Sequence, residues 1–141
     1  MLYRSGFPAT YVSSVRAQVD RNVAAFEALE LGADARAAFE PGYVHQLLLA
    51  LDSYFTHRGR GQEGKDGNPL NEVRMLTDSL QGNDASGPIS PVLAASSTIK
   101  YRPEASVLGL AVGDPIDLDV AAYQRLAHAF LDEVEKRFPD G

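Results

Sequence analysis

The sequence predicts an α+β fold that is mainly α-helical, with about four principal helices packed against a small two- or three-stranded antiparallel β-ribbon before the C-terminal helix. Apolar residues recur at spacings of three and four over most of the 141 residues, which is the period of an amphipathic helix. Between residues 99 and 118 they alternate instead with polar or small residues, as in short strands. The chain length fits a single globular domain over residues 1–141.

Two helices are predicted in the N-terminal part of the chain. The first has Thr10 as its cap and runs to about Leu31, because Gly32 then supplies a stop. Residues 34–39 are expected to form a separate short helical turn that breaks before Pro41, since proline cannot donate a helical hydrogen bond. Pro41 then begins the second main helix. Its buried face is predicted to contain Val44, Leu47, Leu48, Leu51 and Phe55.

A third helix is predicted to begin at Asn68 and Pro69 and to end near Gln81. The Asn68 side chain can accept a hydrogen bond from a free backbone N–H, and the fixed φ of Pro69 suits the first helical position. Residues 82–91 are rich in glycine, serine and proline and are expected to form a loop. Asp119 is then predicted to cap the last helix, which Pro139 closes.

The β-ribbon is predicted between the third and the last helix. Two turn sequences, Pro103-Glu104 and Gly113-Asp114-Pro115, separate the alternating segments. A ribbon of this size is marginally stable alone and must pack on the helices. Its apolar positions are Ile99, Tyr101, Leu108, Leu110, Val112, Ile116 and Leu118.

Composition excludes several classes of protein. There is no cysteine, which rules out disulfides, thiolate metal sites and thiol nucleophiles. The net charge of −6 argues against non-specific attraction to nucleic acid or to an anionic membrane. No apolar run approaches the ~18 residues of a membrane span, so we expect a soluble, cytoplasmic protein. We find no known catalytic motif and predict no cofactor and no metal.

The loop from His57 to Asn68 is the candidate functional site. It is glycine-rich and carries three cationic residues, Arg58, Arg60 and Lys65, immediately before a helix start. Free N–H groups and the positive end of a helix dipole attract phosphate or carboxylate. The loop therefore predicts binding of a small anionic or phosphate-bearing ligand. The alternative is a solvated surface loop whose glycines only turn the chain.

Part of this loop matches a nucleotide-binding motif incompletely. Residues 59–65 fit the G-x-x-x-x-G-K portion of a P-loop, but the next residue is Asp66 rather than serine or threonine. The preceding segment is also predicted to be helical, whereas a P-loop follows a strand. A nucleoside triphosphatase is therefore not indicated.

Two sequence phrases carry a resemblance. G-K-D-G-N-P-L-N-E-V-R at residues 64–74, preceded by Y-F-T-H-R at 54–58, is one, and S-V-L-G-L-A-V-G-D at 106–114 is the other. They resemble motifs of a small uncharacterised protein family, a domain of unknown function, from high-GC Gram-positive bacteria. The resemblance implies no activity. It groups His57, Arg58, Lys65, Asp66, Asn68, Asn71, Glu72 and Arg74 as one constellation, to which the loop adds Arg60 as a ligand-binding residue.

Two other functions remain open beside anion binding. The first is a structural or interaction protein without catalytic activity, which self-associates through the acidic last helix or the ribbon. The second is an enzyme in which His57 works with Glu72 or Asp66 as acid and base. His128 lies one turn from Asp132, a spacing that suits two metal ligands, but a surface ion pair is the favoured interpretation.

Overall fold

The computed structural model describes residues 4–82 and 91–140. Most of the predicted loop at residues 82–91 lies outside the described residues. In chain order the helices are α1 (Ala9–Glu27), α2 (Ala33–Ser53), the single turn α3 (Arg60–Glu63), α4 (Pro69–Leu80) and α5 (Val120–Arg137). A 3₁₀ turn spans Pro103–Ala105.

Helix α5 lies at the centre of the packing and contacts α1, α2 and α4. Its inward face is completely buried, because apolar side chains recur there every three or four residues. The prediction of four principal helices is confirmed by α1, α2, α4 and α5. The buried face of α5 includes Val120, Leu126, Phe130, Leu131 and Val134.

The predicted break before Pro41 was wrong. Helix α2 runs without interruption from Ala33, and Pro41 lies inside it. Proline removes the hydrogen bond to the carbonyl four residues earlier, and its ring crowds that carbonyl, but side chains stabilise this part of the helix. Arg36 donates to Glu40 (2.8 Å) and to Glu27 at the end of α1 (2.9 Å). These contacts hold the first turns of α2 against α1.

The predicted β-ribbon, and with it the α+β class, was also wrong. Across residues 4–82 and 91–140 the fold contains helices and no β-strand. Residues 91–119 are irregular, with one antiparallel bridge between Val92 and Pro115. The protein is therefore mainly α-helical, with an irregular segment where the ribbon was expected.

The ribbon does not form because side chains accept the amide hydrogens that strand pairing would use. Glu72 of α4 accepts from the backbone N–H groups of Val107 (2.8 Å) and Leu108 (3.1 Å). Ser79 Oγ likewise accepts from the amide of Ala94 (3.0 Å). Buried backbone donors need a partner, but the partner need not be another strand. Other amides in the segment are bonded to Ser96, Ser106 and Asp114.

The alternation of apolar residues in this segment reflects packing on the helices. Ile116 and Leu118 are buried in the core, and four of the other predicted ribbon positions are half-buried against it, whereas Val112 is exposed. An extended chain that covers a helical core has the same inside-outside alternation as a strand. The half-buried residues include Ile99, Tyr101, Leu108 and Leu110.

No helix within the described ranges is both long enough and apolar enough to cross a lipid bilayer.

Candidate functional site

A buried carboxylate, Glu63, organises the predicted loop. Its side chain is 1% exposed and lies at the end of α3. It accepts hydrogen bonds from Arg58 Nε (2.7 Å), from Arg74 Nη2 (2.6 Å) and from Asn71 Nδ2 (3.0 Å). Glu63 was not among the predicted site residues. Glu63 forms hydrogen bonds with three of the predicted site residues, so the polar groups of those three side chains point into the fold.

The charges around Glu63 compensate each other. Burial alone would raise the pKa of Glu63, but the hydrogen bond from Arg74 and the positive charge of Arg58 outweigh burial and lower it. Arg58 is itself 1% exposed, and its guanidinium lies over the ring of Phe130. Arg58 Nη2 also lies 2.9 Å from Asp52 Oδ1, a contact that is electrostatic rather than a well-aligned hydrogen bond.

Side chains of the protein itself form the hydrogen bonds at the start of α4. Asn68 accepts a hydrogen bond from the amide of Leu70 (2.8 Å), which confirms its predicted role as the cap. Its side-chain nitrogen donates to the Glu63 carbonyl (2.9 Å) and to Asp66 (2.7 Å). Asp66 also accepts from Arg137 (2.9 Å). The sequence analysis predicted that the start of α4 binds an anion. The carboxylate of Asp66 lies beside this helix start instead.

The hydrogen bond from Arg137 and a second one from Asn68 lower the pKa of Asp66 to about 2. Asp66 therefore carries a negative charge throughout the physiological pH range. A carboxylate beside the α4 start repels phosphate, as its departure from the P-loop motif suggested.

Glu72 is a second buried carboxylate, with a different environment. Burial raises the pKa of Glu72, and its hydrogen bonds from the amides of Val107 and Leu108 oppose that rise only in part. Unlike Glu63, it forms no ion pair within residues 4–82 and 91–140. Its two oxygens hold the irregular segment against α4.

His57 lies apart from its predicted acid and base partners. It is exposed and lines a pocket of about 330 Å³ with Arg4, Tyr11 and Tyr54. Neither Glu72 nor Asp66 lines this pocket. Glu72 is directed at residues 107 and 108, and Asp66 at Arg137. The structure therefore does not place these three side chains together as an acid–base site.

Arg60 and Lys65 do lie together, in a larger pocket of about 640 Å³. Its opposite side is the irregular segment at residues 96–100, so the amides that follow Asn68 are not part of it. Arg60 Nη2 donates to the carbonyl of Thr98 (2.7 Å) and links the two sides. We call this the cationic pocket. It is lined by Arg60, Lys65, Ser96, Ser97, Thr98, Ile99 and Lys100.

The sequence analysis did not identify residues 96–99 as part of a site. In the sequence, Lys100 forms a small basic cluster with Arg102 on an expected strand, for which charge protection of an exposed edge is the favoured interpretation. The available signal was the run Ser96-Ser97-Thr98, three hydroxyl-bearing residues that end two positions before Lys100. Local patterns do not show that this run meets Arg60, because 38 positions separate Arg60 from the Thr98 carbonyl it contacts.

The cluster around His128 is a network of hydrogen bonds and ion pairs between α1 and α5. His128 contacts Asp20 (2.7 Å), and Arg16 contacts Asp132 (2.9 Å) and Glu135. Arg16 therefore occupies the space between the carboxylates. Within the part of the chain that the structure describes, no three His, Asp or Glu side chains are arranged to hold a metal ion.

Gly64 offers a test of how closely the loop is packed. It has φ of 86°, and a Cβ there would lie 2.5 Å from Nη1 of Arg137. Gly64→Ala is therefore expected to destabilise the protein by at least ~1–3 kcal/mol, because positive φ with an extended ψ is a backbone conformation that essentially only glycine adopts. The urea concentration at the midpoint of unfolding measures this loss of stability. Gly61→Ala is the matched control, because nothing lies within 4 Å of that Cβ position. A Gly64→Ala midpoint equal to that of Gly61→Ala would contradict the close packing.

Comparison of the chain with models of protein families, with characterised proteins and with solved structures gave no match. The resemblance to small proteins of high-GC Gram-positive bacteria therefore stays a prediction.

Proposed function

We propose that this protein binds a small anionic, phosphate-bearing ligand in the cationic pocket. The observation that carries the proposal is the convergence of Arg60, Lys65 and Lys100 on one concavity, which no carboxylate from residues 4–82 or 91–140 lines. Lys65 and Lys100 are exposed and form no ion pair with any residue in the described ranges. Cationic side chains without a counter-charge around a pocket are a typical arrangement for binding phosphate.

The surrounding charge makes this pocket distinctive. The chain as a whole carries a net charge of −6, yet three positive charges surround this one space. Fields of exposed charges are screened beyond ~8–10 Å at physiological salt, so distant acidic residues contribute little in the pocket. Asp66, which follows Lys65, is paired with Arg137. A small anion is therefore favoured over an extended nucleic acid, which needs a broad basic surface.

Six of the nine predicted binding residues make structural contacts in this proposal. Arg58, Asp66, Asn68, Asn71, Glu72 and Arg74 are bonded within the fold. They support the loop that presents Arg60 and Lys65. The acid–base alternative has less support, because its residues point to different places. Self-association, and the expected soluble and cytoplasmic character, stay predictions.

Titration calorimetry with inorganic phosphate and pyrophosphate at low ionic strength tests the proposal. We expect saturable binding, and a ligand at 100 times its dissociation constant adds ~2.7 kcal/mol to the free energy of unfolding. Lys65→Gln and Lys100→Gln are each expected to weaken binding by about fivefold, the equivalent of ~1 kcal/mol. Neither lysine makes a hydrogen bond within the described ranges, so both variants should keep the stability of the parent protein.

Lys136→Gln is the matched control, because this exposed lysine lies on α5 and outside the cationic pocket. It should bind as the parent protein does. Equal weakening by Lys136→Gln would indicate a general charge effect and contradict a site. Absence of binding by either anion would also overturn the proposal.

A further inference from the structure

We infer that the group recognised in the cationic pocket is a pyrophosphoryl group, two linked phosphates, and that it is recognised without a nucleobase. This inference rests on the proposed function and specifies its ligand. Three features of the pocket carry it: the separation of its cations on two segments, its hydroxyl groups, and the absence of aromatic rings from its lining.

The cations come from two separate segments of chain. Arg60 and Lys65 belong to α3 and the turn that follows it, and Lys100 belongs to the irregular segment on the other side. A single phosphate fills only a small part of a 640 Å³ pocket, which leaves room for a larger anion. Two linked phosphates extend farther and carry more charge. They can therefore contact both sides at once.

Three hydroxyl-bearing residues, Ser96, Ser97 and Thr98, line the pocket together with the cations. Ser96 Oγ accepts hydrogen bonds from the amides of Thr98 and Ile99, both at 3.2 Å. Ser96 Oγ also lies 3.3 Å from Thr98 Oγ1, where either hydroxyl can be the donor. Ser97 is exposed and makes no hydrogen bond with the described part of the chain. Hydroxyl donors suit the many acceptor oxygens of linked phosphates.

No aromatic side chain from residues 4–82 or 91–140 lines the cationic pocket, and Ile99 is its single apolar residue. Proteins commonly bind bases by stacking them on aromatic rings, which contributes a substantial part of the affinity. The smaller pocket beside Tyr11 and Tyr54 has such rings. In the cationic pocket a base gains little, so the affinity comes from the phosphates.

The test compares a series of ligands by titration calorimetry at constant ionic strength. The series is phosphate, pyrophosphate, triphosphate, AMP and ADP. We expect pyrophosphate to bind at least tenfold more tightly than phosphate, and ADP to bind no more tightly than pyrophosphate. Equal affinities for phosphate and pyrophosphate would overturn this inference but leave the proposed function standing. A tenfold preference for ADP over pyrophosphate would overturn it as well, in favour of a nucleotide.

Variants on the two sides of the pocket provide an independent readout. If one ligand bridges them, Lys65→Gln and Lys100→Gln should each reduce the preference for pyrophosphate over phosphate. Lys136→Gln should leave that preference unchanged. If both pocket variants keep the parent preference, the two phosphates do not span the pocket and the inference fails. If no member of the series binds at all, it is the proposed function that fails.

Discussion

Replacing Glu63 by glutamine is expected to lower the free energy of unfolding by about 3–5 kcal/mol, the usual cost of removing one partner from a buried ion pair. Glu63 accepts hydrogen bonds from Arg58 and Arg74, and Arg58 is buried beneath the loop. Glutamine keeps the shape of Glu63 but not its charge. Asp52, 2.9 Å from Arg58, compensates only part of the remaining positive charge, because it is itself partly exposed.

Urea denaturation measures this effect, and a fall of roughly 10 °C or more in the melting temperature should accompany it. Glu135→Gln is the matched control. Glu135 also contacts an arginine, Arg16, but its side chain is 55% exposed, and exposed ion pairs contribute only about 0–1 kcal/mol. Equal losses in both variants would contradict a special role for the buried pair.

The buried ion pairs of Glu63 with Arg58 and Arg74 also predict that the free energy of unfolding depends on pH. Folding lowers the pKa of Glu63 from the ordinary value of 4.5. The contribution of the ionised Glu63 to the free energy of unfolding is therefore complete at pH values above 4.5. It is lost as the pH falls through the lowered value in the folded protein. The difference in stability between the parent protein and Glu63→Gln should therefore shrink on acidification below pH ~4.5. A difference that stays constant from neutral pH to acid would contradict this.

Phe130→Ala is expected to produce the second large loss, about 3–5 kcal/mol, by leaving a cavity in the core. Phe130 is fully buried on α5, its ring packs against Phe55 with 5.6 Å between centroids, and Arg58 lies over it at 5.2 Å. The substitution therefore removes apolar packing and a cation–π contact together.

Phe130→Leu separates these contributions, because leucine retains most of the volume and should cost less, roughly 1.5 kcal/mol. Equilibrium unfolding in urea again measures the loss. Since Arg58 contacts both Glu63 and Phe130, the effects of Glu63→Gln and Phe130→Ala should not be additive. Strict additivity, or a Phe130→Ala loss below ~1 kcal/mol, would contradict the packing described here.

The α5 helix shows how far local sequence patterns reach. Its cap at Asp119 and its apolar positions at spacings of three and four are properties of neighbouring residues, so both could be read before the structure. The irregular segment shows where such patterns fail. Alternation at residues 99–118 predicts an extended chain, but not whether its amides bond to another strand or to Glu72 and Ser79.

Local sequence patterns likewise predicted one part of the candidate site and missed another. The glycines and cations of the loop identified Arg60 and Lys65, and Asn68 was recognised as a cap. Sequence patterns did not reveal Glu63, because a glutamate in a polar loop is normally exposed. Only the fold brings Arg58 and Arg74 to it.

The amino-acid sequence by itself determined the principal helices, the cap of α4 and the presence of a cationic, glycine-rich loop, because each depends on residues within a few positions of each other. The tertiary structure decided which charges are buried and which are exposed around a pocket. Arg58 is neutralised by Glu63 inside the fold, whereas Lys65 meets Lys100 across a pocket. That difference depends on burial and on contacts between distant segments, and these arise only when the helices pack.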